Sequence, residues 1–452
     1  MTLVLILSAG LVILMALVEW FNFRRTRRLT FLTAAHGLIA IGYCLPPFLI
    51  AFLPGTAWES GPRGAKDPNP WGTRLYLLDL TDHLRLPEGA YLTMSIILVG
   101  AYAAMVAGYF AAGRLPVRRL VASEISRRFL ISGALCFGVI ALAALALYST
   151  QFKSLFWFIV QGSWIREGIM SVKWGFLQVL VQVGFPAFLM LVASALRTTG
   201  TTRLLLIAGA VAVWGVVFLR LLHVGGRLEL GTFILTPLLA CLFMTRNTRK
   251  AIIGIGVIGV LAVFLANLPH RAYFHPHEII DDVFVSFWRN SINHLIFILS
   301  ELGFPHIVAT QAITLVPGEI GHRYFIDIPL GALYMLPNFT GVETLPPMIL
   351  SLQAKLLPWM PVDLFSFGYY SLGTVGVLII FAGFGAVLAV FDGWLTESDG
   401  WLGQALRAAW LFYLPFRLFY ADPYAAAQWG FGLIVGTLFI LAAAMLSRRR
   451  AS

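Results

Sequence analysis

Residues 2–28 read TLVLILSAGLVILMALVEWFNFRRTRR, an apolar run from Thr2 to Trp20 followed by four arginines. A helix that crosses a bilayer needs about 20 apolar residues, and this run has that length. A secretory signal peptide carries its basic residues before the apolar region and a small-residue cleavage site after it. Here the charge order is reversed and no obvious cleavage site follows, so we expect residues 2–22 to be a retained membrane anchor.

The composition of the whole chain points to the same class of protein. Of the 452 residues, 59% are hydrophobic and 12% are charged, whereas a soluble domain has about 25% charged residues. The mean hydropathy is +0.84. The net charge of +11 does not indicate a nucleic-acid partner, because most basic residues lie in short loops beside apolar runs. There they orient the protein and meet anionic lipid headgroups.

Apolar runs of this kind recur along the chain and predict an all-α polytopic membrane protein. We expect one membrane domain, residues 1–452, with about eleven spans (ten to twelve). The spans are predicted near 2–22, 31–53, 89–112, 130–149, 174–196, 204–222, 229–245, 251–267, 366–391, 405–421 and 426–446. The short loops on one side hold more than half of the 32 lysines and arginines. The positive-inside rule then predicts an outer N-terminus and an inner C-terminus.

Three connections on the predicted outer side are long. Residues 54–88 have the glycine, proline and aspartate content of an irregular cap. Residues 150–173 are predicted to form an interfacial helix rich in aromatic side chains. Residues 268–364 form the largest connection, which we expect to carry the active site. Within it, polar residues at three- and four-residue steps predict an amphipathic helix with Arg289 on its polar face.

Several familiar sites for phosphate or metal are absent from the sequence. It contains no GxxxxGK phosphate loop, no HExxH and no Cys/His set at metal-ligand spacing. We therefore expect no cofactor and no metal, and we expect the substrate to arrive already activated.

Arginines near the predicted outer side are the candidate ligands for an anion. A guanidinium forms forked hydrogen bonds to phosphate oxygens and cannot lose its charge. The residues predicted to bind pyrophosphate are Arg220, Arg227, Arg289, Arg417 and Arg323. Alternatively, arginines near span ends extend to headgroups or pair with an acid such as Glu229 or Asp422.

Two residues of the long loop are candidate catalytic bases. Glu301, in SELGFP, and His322, in GEIGHRYF, could accept the proton of an attacking hydroxyl. A single histidine in a loop also often has a structural role, and Glu301 could cap a helix or pair with Arg289. Gly368, Gly373 and Gly376 are predicted to let helix backbones approach closely.

These segments together resemble the O-antigen polymerase (Wzy-type) family of bacterial polysaccharide repeat-unit polymerases. The similarity is carried by GGRLELGTFILTPLL (225–239), by SELGFP, VPGEIG and YFIDIPLGALYMLPNFTG of the long loop, and by FGYYSLGTVGVLIIFAGFG (367–385). It is continuous from about residue 200 to 425. The opening EWFNFRRTRR and the RNSI segment resemble the enterobacterial common antigen branch.

The resemblance implies a GT-C-like membrane glycosyltransferase of the bacterial inner membrane. The donor would be a glycan on undecaprenyl pyrophosphate, and the acceptor would be the terminal sugar of another lipid-linked repeat. The reaction would be metal-independent and inverting, on the periplasmic face, with a periplasmic N-terminus and a cytoplasmic C-terminus. A chain-length regulator protein is a further candidate partner.

Three other functions stay open from the sequence. An O-antigen ligase would use the same donor with a different acceptor. A flippase or transporter would move lipid-linked oligosaccharide without breaking a bond, although the sequence shows no paired repeat halves of the kind transporters often have. A scaffold for polysaccharide export would depend little on the arginines.

Overall fold

The computed structural model describes residues 1–52, 86–116, 125–155, 157–159, 161, 174–224, 227–245, 250, 253–254, 256–257, 302–334, 361–395 and 398–449. Every regular element among these described residues is a helix. The helices of eight or more residues and one shorter helix are α1 (Thr2–Thr26), α2 (Phe31–Ile39), α3 (Leu45–Phe52), α4 (Glu88–Ala112), α5 (Arg127–Ser149), α6 (Phe176–Val181), α7 (Gly184–Leu196), α8 (Gly200–Val224), α9 (Arg227–Met244), α10 (Phe304–Leu315), α11 (Asp327–Tyr334), α12 (Leu364–Leu395), α13 (Gly400–Tyr413) and α14 (Pro423–Arg449).

The described residues fall into two compact units. The first unit lies within Met1–Pro116, Asp282–Asp392 and Leu414–Ala426. The second unit lies within Val117–Asp281, Gly393–Tyr413 and Ala427–Ser452.

In the first unit, α2 and α3 are joined by one wide π turn, Ala40–Cys44. Pro46 and Pro47 follow it, and a proline cannot donate a backbone hydrogen bond and collides with the carbonyl one turn earlier. In the wide turn the amide of Leu45 bonds to Ala40, five residues back. The segment therefore continues as one candidate membrane span through the prolines.

Helices α4 and α12 of the first unit approach closely through two glycines. A Cβ atom at Gly108 would overlap the carbonyl oxygen of Ala382, and one at Gly385 would overlap the carbonyl oxygen of Met105. In lipid the hydrophobic effect does not drive helices together. Small residues let the two backbones approach closely, so that van der Waals packing can hold the helices together.

Helix α12 is interrupted within its length. Leu372 (φ −154°, ψ 34°) and Gly373 (φ 59°, ψ −148°) have non-helical backbone angles. Gly368 and Gly376 lie close together across the bend, because a Cβ atom at Gly368 would be 3.0 Å from the carbonyl oxygen of Gly376. The predicted glycine contacts thus occur within one bent helix, and Gly373 has a positive-φ conformation that glycine adopts without strain.

In the second unit, α7 packs against α5 and α8, and α9 packs against α13. Glycines again mark the close contacts. A Cβ atom at Gly432 of α14 would overlap the carbonyl oxygen of Gln182, and one at Gly436 would overlap the ring of Pro186. Between these glycines and α7, Gln182 donates to the Gln428 carbonyl at 2.8 Å.

Eight helices among the described residues are long and apolar enough to cross a membrane. They match the predicted spans near 2–22, 31–53, 89–112, 130–149, 174–196, 204–222, 366–391 and 426–446. The polytopic all-α architecture is therefore confirmed. The segment predicted near 229–245 lies in α9, whose apolar part, Glu229–Met244, is shorter than these eight helices.

The segment predicted as a span near 405–421 is not one helix. Helix α13 ends at Tyr413, and a 3-10 turn, Pro415–Leu418, follows it. Pro415 ends the helix because it has no amide proton for the next helical hydrogen bond.

Several sequence predictions lie outside the described residues. They are the cap 54–88 except its last residues, most of the segments 150–173 and 251–267, and the amphipathic helix that carries Arg289.

Candidate functional site

A short segment of the long loop is bonded to the interrupted helix. The amide of Arg323 donates to the Tyr370 carbonyl at 3.2 Å, and the amide of Tyr324 donates to the Ser371 carbonyl at 2.8 Å. Those two carbonyls precede the break at Leu372, where the backbone leaves the helical conformation. The loop therefore supplies two backbone donors to the helix beside its break.

The same segment contains two adjacent residues with strained backbone. Tyr324 (φ 54°) and Phe325 (φ 60°) are in the left-handed region, which costs a non-glycine residue about 1–2 kcal/mol. Such strain persists only where the surroundings fix the conformation, and it clusters at functional sites.

His322, a predicted catalytic base, lies against the break. A Cβ atom at Gly373 would be 3.6 Å from Cε1 of His322. Its Nδ1 atom is buried and has no hydrogen-bond partner among the described residues. An imidazole nitrogen in that condition can take a proton or donate one to a bound group.

Arg323, a predicted pyrophosphate ligand, forms a forked ion pair with Asp327. Its Nε atom is 2.9 Å from Oδ2 and its NH2 atom is 2.5 Å from Oδ1. Asp327 is buried and is the first residue of α11, where a negative charge also interacts favourably with the helix dipole.

Arg417, a third predicted ligand, belongs to the same polar cluster. It is buried in the 3-10 turn and interacts electrostatically with Asp422. Burial raises the pKa of Asp422, the amide of Ala425 lowers it, nearby Asp327 raises it and Arg417 lowers it. Asp327, which pairs with Arg323, and Arg417 thus both lie within electrostatic reach of Asp422.

The sequence did not indicate a second part of this cluster. Tyr43 donates through its hydroxyl to Asp363 at 2.7 Å and to the Leu418 carbonyl at 3.1 Å. Asp363 caps α12 by accepting from the amides of Phe365 and Ser366. Burial raises the pKa of Asp363 from 3.8 to about 6, against the opposing effect of these donors. The motif D-x-x-S before an apolar run was the available signal, since it is a helix N-terminus pattern.

His306 is a third residue that the sequence did not indicate. It is fully buried on α10, its Nδ1 atom is 2.9 Å from the Tyr43 carbonyl, and its ring stacks on Tyr91. Its Nε2 atom has no hydrogen-bond partner among the described residues. Burial lowers the pKa of His306 from 6.5 to about 4, so the ring is neutral at physiological pH.

Arg220 belongs to the second unit, where it is buried on α8. Its NH1 atom is 2.7 Å from Oε2 of Glu229, and its Nε atom donates to the Gln178 carbonyl at 2.9 Å. This pairing is the alternative that the sequence left open for an arginine near a span end. Beside it, His223 stacks on Phe158 with ring centroids 4.2 Å apart.

The structure thus places His322 beside the break in α12 and pairs the adjacent Arg323 with Asp327, while Arg417 lies within electrostatic reach of Asp422. Arg227 is the first residue of α9; its side chain lies outside the described part of the structure. Glu301 and Arg289 also lie outside the described residues. Within the described ranges, no three metal-binding side chains are grouped as a metal site.

Comparison with protein-family models, curated proteins and solved structures finds no match to the chain.

Proposed function

We propose that the protein is a membrane glycosyltransferase that polymerises undecaprenyl-pyrophosphate-linked oligosaccharide repeats on the periplasmic face of the bacterial inner membrane. The observation that carries the proposal is the charge sequence Arg323–Asp327–Asp422–Arg417. Arg323 pairs with Asp327 next to His322, and Arg417, from a distant part of the chain, lies within electrostatic reach of Asp422, as Asp327 does. This cluster is next to the starts of two candidate membrane spans, where a lipid-linked anion would lie.

The proposed reaction is a direct displacement at the anomeric carbon of the donor. The acceptor hydroxyl forms the new glycosidic bond while the bond from the anomeric carbon to the pyrophosphate oxygen breaks. His322 or Glu301 takes the hydroxyl proton, and undecaprenyl pyrophosphate leaves with the bonding electrons. Fixed guanidinium groups stabilise the charge that develops on this leaving group, and inversion of the anomeric centre follows.

The arginines have different parts in this proposal. Arg417 and Arg323 are assigned to the pyrophosphate, with Asp327 and Asp422 holding them in position. The remaining predicted ligands are Arg220, Arg227 and Arg289. The proposed partners are the lipid-linked donor and acceptor, membrane lipid and a chain-length regulator protein.

The test is the length of glycan made by a deletion strain complemented with variants. A polymerase predicts single repeats on lipid in the deletion strain and a restored ladder with the wild-type protein. Arg417→Lys keeps the charge and loses the forked geometry, and His322→Gln removes the base; both should lose the ladder at normal protein levels. Arg203→Gln, at an exposed arginine of α8, is the matched control and should keep it.

Other outcomes identify the alternatives. A deletion strain that accumulates long, unattached glycan indicates a ligase. Normal ladders in well-expressed Arg417→Lys and His322→Gln strains would exclude the proposed site and favour a scaffold.

A transporter of lipid-linked oligosaccharide is a second candidate, favoured by the interruption of α12, because discontinuous spans are common at transporter binding sites. It predicts that the deletion strain holds intact donor on the cytoplasmic side of the membrane.

A further inference from the structure

The first unit contains a second polar network, separate from the candidate site. Glu19 of α1 and His36 of α2 both lie within candidate membrane spans. Oε2 of Glu19 is 3.0 Å from Nδ1 of His36, and the histidine is buried while the glutamate side chain is 24% exposed. Ionisable groups cost several kcal/mol within a bilayer and are usually functional there.

Hydroxyl groups extend this pair in two directions. On one side, the Tyr102 hydroxyl is 3.2 Å from Nε2 of His36. On the other side, the Thr33 hydroxyl donates to Oε1 of Glu19 at 2.6 Å, and it is 3.0 Å from the Thr30 hydroxyl. Each of these groups can both accept and donate a proton.

The chain of hydroxyls continues to a second carboxylate. The Thr30 side chain adjoins Tyr109, whose hydroxyl donates to Oδ2 of Asp392 at 2.7 Å. Asp392, near the end of α12, is partly exposed, and it also accepts from the Phe31 amide. The path from Glu19 to Asp392 is therefore made only of proton-carrying oxygen atoms.

Each hydroxyl of Thr33, Thr30 and Tyr109 has one proton and an acceptor on either side of it along the path. When Asp392 is protonated and Glu19 is ionised, Asp392 donates to Tyr109, Tyr109 to Thr30, Thr30 to Thr33, and Thr33 to Glu19. When the proton has moved to Glu19, each hydroxyl donates in the opposite direction, and Tyr109 donates to Asp392. A chain with these two polarisations passes a proton along it without moving a heavy atom.

The charge of the pair favours uptake of a proton. Among the described residues, His36 is the one basic partner of Glu19. A neutral His36 that donates from Nδ1 to Glu19 accepts from Tyr102 at Nε2, so every hydrogen bond is satisfied with a net negative charge in the membrane. Protonation of the pair removes that charge.

We propose that Glu19 and His36 form a proton-binding site within the membrane, which exchanges with water through Thr33, Thr30 and Tyr109 to Asp392. The proton is the ligand, and it enters from the side of the membrane on which the four arginines of residues 24–28 lie. The titratable groups that face the site are Tyr102 and Tyr109 from α4 and Asp392 from α12. The π turn adds none, because its Tyr43 is bonded to Asp363.

The experiment is infrared spectroscopy of the full-length protein in lipid nanodiscs from about pH 8 to about pH 5, the range in which histidine environments titrate. We expect a buried, protonated carboxylic acid band that rises as the pH falls. Glu19→Gln should remove it. Glu88→Gln, at a carboxylate whose side chain is 72% exposed, should leave it unchanged.

Deuterium exchange of that band tests the path. Thr33→Val removes the linking hydroxyl and should slow exchange at least about tenfold, equivalent to about 1.4 kcal/mol of barrier. Thr33→Ser, which keeps the hydroxyl, should restore the rate. The proposal fails if the wild-type protein has no such band, if Glu19→Gln retains it, or if Thr33→Val exchanges at the wild-type rate. These readouts do not depend on glycan synthesis.

Discussion

The guanidinium of Arg220 lies 2.7 Å from the carboxylate of Glu229, and both side chains are largely buried, with 5% and 12% of their surface exposed. Removing one member of a buried ion pair leaves the other charge without compensation, which typically costs about 3–5 kcal/mol.

We therefore predict that Arg220→Met and Glu229→Gln each lower the melting temperature of the purified protein strongly. The double variant should be more stable than the sum of the single effects predicts, since it leaves no isolated charge. Thermal unfolding of the four proteins in detergent measures this coupling. Additive effects would show that the pair is not coupled.

Asp363 predicts a pH dependence of stability. Its pKa in the folded protein, about 6, lies above the ordinary value of 3.8 because of burial. The folded state therefore keeps the proton to higher pH than the unfolded state, so stability is greatest below about pH 4 and falls as the pH rises to about 6. The expected loss is about 3 kcal/mol, since each tenfold change in an acid constant corresponds to about 1.4 kcal/mol.

The measurement is melting temperature against pH for the wild-type protein and Asp363→Asn. The difference between them should change through this window and be constant above it. Glu88→Gln, with an exposed carboxylate, should follow the wild-type curve. Parallel curves for Asp363→Asn and the wild type would contradict the prediction.

A substitution at Gly373 tests whether the interruption of α12 needs a glycine. Because its φ is +59°, Gly373→Ala should destabilise the protein by about 1–2 kcal/mol. Gly383→Ala is the matched control in the same helix: nothing lies within 4 Å of its new Cβ atom, and alanine favours a helix by about 0.5–1 kcal/mol over glycine. Melting temperatures should move in opposite directions. A Gly373→Ala protein as stable as the control would exclude a conformational need for glycine.

A substitution at Gly108 tests the close contact between α4 and α12. Gly108→Ala would bring a methyl group onto the Ala382 carbonyl, and such overpacking typically costs about 1–3 kcal/mol. Gly100→Ala, on the same helix, meets Leu378 at an ordinary 3.4 Å and should be tolerated. Expression level and melting temperature compare the two. Equal tolerance would mean that the two helices can move apart at little cost.

The sequence predicted the helices that cross the membrane because span length and apolar composition are local properties. Eight predicted spans correspond to long apolar helices for this reason. The interruption at Leu372 was not predicted, since a glycine within an apolar run is equally compatible with close packing. Pro415 indicates the end of α13, but the apolar residues on both sides of it favoured one continuous span.

The candidate site was predictable only in part. His322, Arg323 and Arg417 were found because charged residues in apolar surroundings are conspicuous. Tyr43 and Asp363 were missed because their contact joins residues 320 positions apart, and nothing in a single sequence pairs such distant residues. His306 was passed over because an isolated histidine in an apolar helix has no distinguishing neighbour.

The backbone hydrogen bonds from Arg323 and Tyr324 to Tyr370 and Ser371 fix this segment of the loop to α12. Loss of the two bonds would remove one donor from each carbonyl at the point where α12 leaves the helical conformation. Because an unsatisfied backbone group costs several kcal/mol in lipid, these bonds couple the position of the loop segment energetically to the bend of α12.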